Sequence, residues 1–314
     1  MSKWNVVFRN DVNNVGDIAS NPLQYFLPKN EYNIIDIDTI DRVPFDDSLP
    51  IVCGGGGLIG NEYFGENIRL ILQRPDKTSL ENVFNNRWML SNRKYENIQV
   101  EFNQRLGHLV HEYTSKIEDA KVPKFIWGAG HNIKDWKPDI KDAIVKYPKF
   151  LGNFDHVGIR DDVPTNDYPW TPCASCMHPA LQKKYEIKNE MIWFEHKKQL
   201  IKGVEFGPNP IPRFVNSGGN IEQTIELLGS AETIITNSYH GAYWGILLGK
   251  RVYVVAPWSS KFYYMRHQPV FITNTKRWWE EIETQETKAK IYPNALHECI
   301  TATEKFWNNI KGMV

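Results

Sequence analysis

The sequence has no surplus of charge of either sign: 37 Lys and Arg residues stand against 37 Asp and Glu, for a formal net charge of zero. Nucleic-acid binders usually show a basic excess and polyanion mimics an acidic one, so no nucleic-acid partner is expected. Long apolar runs are also missing, because Gly, Asn or charge interrupts each one well short of the ~18 to 20 residues that a membrane-spanning helix needs. Behind Lys3 there is no apolar signal region, since Asn5, Arg9 and Asn10 break it, and this predicts a cytoplasmic protein. Cysteine is scarce, four in 314 residues, which excludes the disulfide framework of a small secreted domain and predicts reduced thiols. No internal repeat or low-complexity stretch is visible. At roughly 150 residues per domain, the chain is long enough for about two domains, each with its own core.

What is present is a series of short β-branched or aromatic runs, each ending in Gly, Asn or Asp and followed by a helical stretch, the pattern of parallel βαβ units. Strands are expected at Lys3 to Arg9, Asn33 to Asp38, Ile51 to Gly54, Lys124 to Trp127 and His156 to Ile159. Between them, Phe102, Leu106, Leu109, Tyr113 and Ile117 mark an amphipathic helix from Phe102 to Ala120. Breakers then concentrate at Pro164, Asn166, Asp167, Pro169 and Pro172, which puts a boundary between residues 1–165 and 166–314. The second half reads as a strand at Met191 to Phe194, a loop-rich passage from Lys198 to Gly219, a helix at Ile221 to Leu228, a strand at Thr233 to Thr236, an apolar helix at His240 to Leu248 and a strand at Arg251 to Val255. From Pro293 onward, Leu296, Cys299, Ile300, Thr303, Phe306 and Ile310 share one helical face. The expected class is α/β, with two Rossmann-like domains facing across a cleft.

In such sheets, ligands bind beyond the C-terminal ends of the strands, so the segments there carry the functional reading. Cys53-Gly54-Gly55-Gly56-Gly57-Leu58 allows close backbone approach to an anion or a sugar hydroxyl, with Gly55, Gly56 and Gly57 as binding positions. It is neither the G-x-G-x-x-G fingerprint nor a P-loop, which argues against NAD and P-loop nucleotides. After the first strand, Asn14 and Asp17 are placed to hold a hydroxyl or to cap a helix. His131 stands at an equivalent position in Gly128-Ala129-Gly130-His131-Asn132. Arg160 closes a strand, and its fork can grip a carboxylate or phosphate or pair with Asp161 or Asp162. His240, in Thr236-Asn237-Ser238-Tyr239-His240-Gly241, opens a buried helix whose dipole lowers an imidazole pKa, as a neutral acid-base group requires. Lys250 reads as a second anion ligand or as a helix C-terminal cation. The Cys173-Ala174-Ser175-Cys176 segment, with His178, is half a zinc site without a second pair, so no metal is expected.

Taken in order, NVGD, CGGGGL, WGAG, GIRD and TNSYHGAYWGILLGKRV resemble the polysaccharide pyruvyl transferase family, over about residues 13 to 255. The resemblance implies a GT-B-like fold whose terminal helix returns to the first domain, and transfer of pyruvate from phosphoenolpyruvate onto a sugar of a surface polysaccharide or its precursor. It implies catalytic roles for His240 and Arg160, donor binding by Lys250, Asn237, Ser238 and Gly241, and acceptor binding by Asn14, Asp17, Gly55, Gly56, Gly57 and His131. No cofactor is implied. The acceptor would be a glycan or a lipid-linked or nucleotide-linked sugar, compatible with peripheral contact at the inner face of a membrane. Many members carry arginine two residues before the histidine, where this chain has Ser238, so one cation is missing from the donor side. The alternatives are a GT-B glycosyltransferase using a nucleotide sugar and a catalytically inactive glycan-binding protein.

Overall fold

A computed structural model describes residues 3–10, 14–36, 46–57, 117, 120–132, 149–163, 167–197, 211–218 and 220–314. The first sheet is built from β1 (Trp4–Phe8), β2 (Tyr32–Asp36), β3 (Ile51–Gly54), β4 (Lys124–Ala129) and β5 (His156–Ile159), in the order β2-β1-β3-β4-β5. The second comprises β6 (Asn189–His196), β7 (Arg213–Asn216), β8 (Ala231–Thr236), β9 (Arg251–Val255) and β10 (Val270–Ile272), in the order β10-β9-β8-β6-β7. Every pairing is parallel. Numbered from its own first strand, each sheet has the order 2-1-3-4-5, in which the chain reverses direction across the sheet between the first and third strands. The reversals fall between β1 and β3 and between β6 and β8.

The inner strands are apolar on both faces because parallel strands are covered on both sides. β1 and β3 are buried throughout, with Val6 opposite Val52 and Val7 opposite Cys53. Edge strand β2 instead leaves Ile34 exposed. Among the described residues the sheets are accompanied by the helices α1 (Val15–Ala19), α2 (Ile221–Gly229), α3 (Tyr239–Leu247), α4 (Trp278–Gln285) and α5 (Ala295–Lys311). All nine residues of α3 are buried, so it has no polar face and packs as a core element. α5 spans two cores. Its Ala295 and Cys299 join α3, β8 and β9, whereas Phe306, Trp307 and Ile310 join Trp4, Val6, Phe8 and Trp127 of the first sheet.

Several expectations change. The passage from Lys198 to Gly219 is not loop throughout, because β7 occupies Arg213–Asn216 and pairs with β6. Its exposed Arg213 and Val215 are what an edge strand tolerates, and the prolines just before it hide the strand in the sequence. β10 and α4 were not expected at all. The helix from Phe102 to Ala120 lies outside the described residues apart from Ile117 and Ala120, and so does the boundary at residue 165.

Candidate functional site

The C-terminal ends of the strands carry most of the chemistry. After β8, Ser238 is the N-cap of α3, accepting from the Gly241 amide and from Asn216 Nδ2 at 3.4 and 3.3 Å. This cap fixes His240 in the first turn of a nine-residue helix. His240 is buried, with its ring 5.0 Å from Trp244 and edge-on to Tyr239 at 5.4 Å. Burial first, then the electrostatic influence of Arg160, Lys261 and His196, hold its pKa down at about 3. The positive end of α3 acts in the same direction. At neutral pH the group is an uncharged imidazole.

Arg160 follows β5 and is 5% exposed. Its guanidinium lies over the Tyr239 ring at 4.3 Å, a cation-π contact that brings it beside the start of α3. Nε and Nη2 are both buried and make no hydrogen bond among the described residues. The nearest counter-charge is Asp161, with Oδ1 at 4.0 Å from Nε. The other oxygen of Asp161 already accepts from the His131 amide and lies 2.7 Å from that imidazole's Nδ1. Two buried guanidinium nitrogens without hydrogen-bond partners among the described residues are costly, so this side chain is suited to a ligand anion. A small cavity beside it is lined by Trp170, Tyr239, Tyr243, Met265, Arg266 and His267 among others. His240 does not line that cavity.

The first sheet reaches the same place through α1. Asn14 caps α1, with Oδ1 accepting from the Gly16 amide at 3.2 Å, while its Nδ2 donates to Asp17 at 2.7 Å. Gly16 then lies against the imidazole, and a Cβ built there would sit 2.0 Å from His240 Nδ1. Only glycine permits this approach. Gly55 and Gly56 have φ of 74° and 87°, and the Gly55 amide bonds the Trp127 carbonyl at 2.9 Å. The glycine turn therefore needs positive φ as well as closeness, because a Cβ on Gly55 would strike Ser20 at the end of α1 and one on Gly57 would strike Asn132. Asn132 in turn accepts from the Ser259 hydroxyl at 2.6 Å, tying the loop after β4 to the segment after β9.

The structure brings Arg160, His240, Asn14, Gly16 and, through Asp161, His131 into one neighbourhood. It does not bring Lys250 there. Lys250 precedes β9, at the N-terminal end of the sheet, and donates to the Gly229 carbonyl at the end of α2 at 2.7 Å. This is the helix-end cation reading, and the donor-binding expectation for Lys250 is corrected accordingly. Lys261 is the lysine whose charge acts on His240, and it lies 3.9 Å over the Trp258 ring. Asn237 and Gly241 serve the scaffold: Asn237 Oδ1 accepts from the His196 amide at 2.7 Å, and a Cβ on Gly241 would meet Thr236 and Phe194.

Sequence reasoning missed three contributors. Tyr239 carries Arg160, yet it reads as one more apolar residue of a core helix. Gly16 had a usable signal, since glycine is a poor helix former and its place in the first turn asks for a reason. Cys173 lies with its Sγ 3.6 Å from His240 Nε2, 67 residues away in sequence, where the segment had suggested half a metal site. Among the described residues no cluster of three or more His, Cys, Asp or Glu could hold a metal ion, and no helix is long and apolar enough to cross a membrane. No protein-family model matches the chain, and no curated protein matches it.

Proposed function

We propose that the chain is a transferase that moves the pyruvyl group of phosphoenolpyruvate onto two hydroxyls of a sugar, within a GT-B-like arrangement of two Rossmann-like halves. The observation that carries the reading is the buried Arg160 guanidinium, with Nε and Nη2 lacking hydrogen-bond partners among the described residues, beside a neutral imidazole at a helix N-terminus. The reaction calls for those two groups. A fixed cation holds the donor's carboxylate or phosphate, and a group uncharged at neutral pH exchanges protons. The methylene carbon gains a proton, the bond from C2 to the phosphate oxygen breaks, and two sugar oxygens bond to C2. Inorganic phosphate leaves, and the two hydroxyl protons end on the new methyl group and the phosphate.

Lys261 takes the second cationic role, in place of the arginine that Ser238 replaces. On the acceptor side, Asn14, Asp17 and the turn from Gly55 to Gly57 line the approach of a glycan or of a lipid-linked or nucleotide-linked sugar. The test is incubation with phosphoenolpyruvate and a panel of sugar acceptors, reading phosphate release together with the new ketal methyl signal by NMR. Both should appear together with the right acceptor. Turnover of a UDP-, GDP- or CMP-sugar without any use of phosphoenolpyruvate would replace this reading with glycosyl transfer.

A further inference from the structure

We propose that Cys173 is a positioning residue that sets the tautomer of His240, accepting nothing from the imidazole but donating its S–H to Nε2, so that the ring proton sits on Nδ1. The inference rests on the reading of His240 as the proton-exchanging group. It follows from the direction of a chain of hydrogen bonds. Trp244 Nε1 can only donate, and it donates to Ser175 Oγ at 3.0 Å. The Ser175 hydroxyl keeps its own proton, and the acceptor within its reach among the described residues is Cys173 Sγ at 3.2 Å, a contact in which either atom can donate; directing the hydroxyl at sulfur leaves no buried proton unpaired. The remaining proton of this series is the thiol's, and His240 Nε2 is within reach at 3.6 Å. Burial raises the Cys173 pKa, which keeps that proton on sulfur at neutral pH.

The thiol is held from its own backbone as well, because the Tyr243 hydroxyl donates to the Cys173 carbonyl at 2.9 Å. Cys173, Ser175, Tyr243, Trp244 and His240 are all buried, so water does not compete for these bonds. With Nε2 engaged as an acceptor, the neutral ring carries its proton on Nδ1. That is the nitrogen against Gly16 of α1. The neutral N–H therefore faces the first sheet at Gly16, and the Cys-x-x-Cys segment has its role in setting the tautomer of this imidazole.

The experiment is a two-bond 1H–15N correlation spectrum of the ¹⁵N-histidine-labelled protein at neutral pH, with the His240 signals identified by their loss in His240→Gln. The expected wild-type spectrum shows a pyridine-type Nε2 and a pyrrole-type Nδ1. Cys173→Ser keeps a hydroxyl donor and should keep that pattern, whereas Cys173→Val has no donor and should move proton density to Nε2. In the transfer assay, Cys173→Val should lose about tenfold in kcat with KM unchanged, and Cys173→Ser should restore most of it. If the valine variant does not fold, the wild-type and serine spectra still decide. A wild-type Nε2 of pyrrole type, or a Cys173→Val spectrum identical to wild type, would overturn the proposal. The spectra are read without substrate, so a chain with the expected tautomer but no pyruvyl transfer refutes the function and not this inference.

Discussion

Acidification from pH 7 to pH 5 should destabilise the wild-type protein by about 2 kcal/mol more than it destabilises His240→Gln. The magnitude follows from the environment of one imidazole. Burial, joined by Arg160, Lys261 and His196, keeps the folded pKa of His240 at about 3, against ~6.5 in the unfolded chain. Above pH ~6.5 the ring is neutral in both states and adds no pH dependence. As the pH falls below that value, the unfolded chain takes up a proton that the folded chain refuses, so stability is lost until the pH approaches 3. At pH 5 the unfolded group lies about 1.5 pH units below its pKa, and at ~1.4 kcal/mol per unit the loss is about 2 kcal/mol. Urea unfolding midpoints of both proteins at pH 7, 6 and 5 measure it. His156 and His178, whose pKa values are also lowered by burial, are common to both proteins and cancel in the comparison. Parallel pH profiles would refute the reasoning, because they would mean that the folded state accommodates a charged His240.

Three further outcomes can be checked by substitution. Gly16→Ala puts a methyl carbon 2.0 Å from His240 Nδ1 and should cost ~1 to 3 kcal/mol in thermal or urea unfolding, as overpacked sites do. Lys250→Met should lose about 1 kcal/mol with the bond to Gly229 while leaving turnover and substrate affinity unchanged, which steady-state kinetics would show. Trp307→Ala, which removes a ring 5.7 Å from Trp4 and 5.1 Å from Phe26, should cost ~3 to 5 kcal/mol by urea unfolding if α5 secures the first sheet.

Much of the fold was legible because parallel strands buried on both faces write themselves as apolar runs. Ile51–Gly54, His156–Ile159 and Arg251–Val255 have the bounds that the sequence suggests. β7 and β10 escaped because they are short strands at the edges of their sheet with prolines nearby, and β7 has a single buried position. At the site, Arg160 and His240 were visible as polar residues ending apolar strands. Lys250 was misread because position in sequence does not tell which end of a sheet a lysine occupies. Gly16 and Cys173 were hidden for a different reason, since both act on His240 through contacts made only once distant segments fold together.

Whether Arg160 holds the anionic donor is decided by calorimetric titration of phosphoenolpyruvate into wild type and Arg160→Ala. Wild type should bind saturably and the variant at least about tenfold more weakly, since a charge-assisted hydrogen bond contributes ~1.5 to 3 kcal/mol. Equal affinity in the two proteins, or binding of nucleotide sugars but not of phosphoenolpyruvate by wild type, would contradict it.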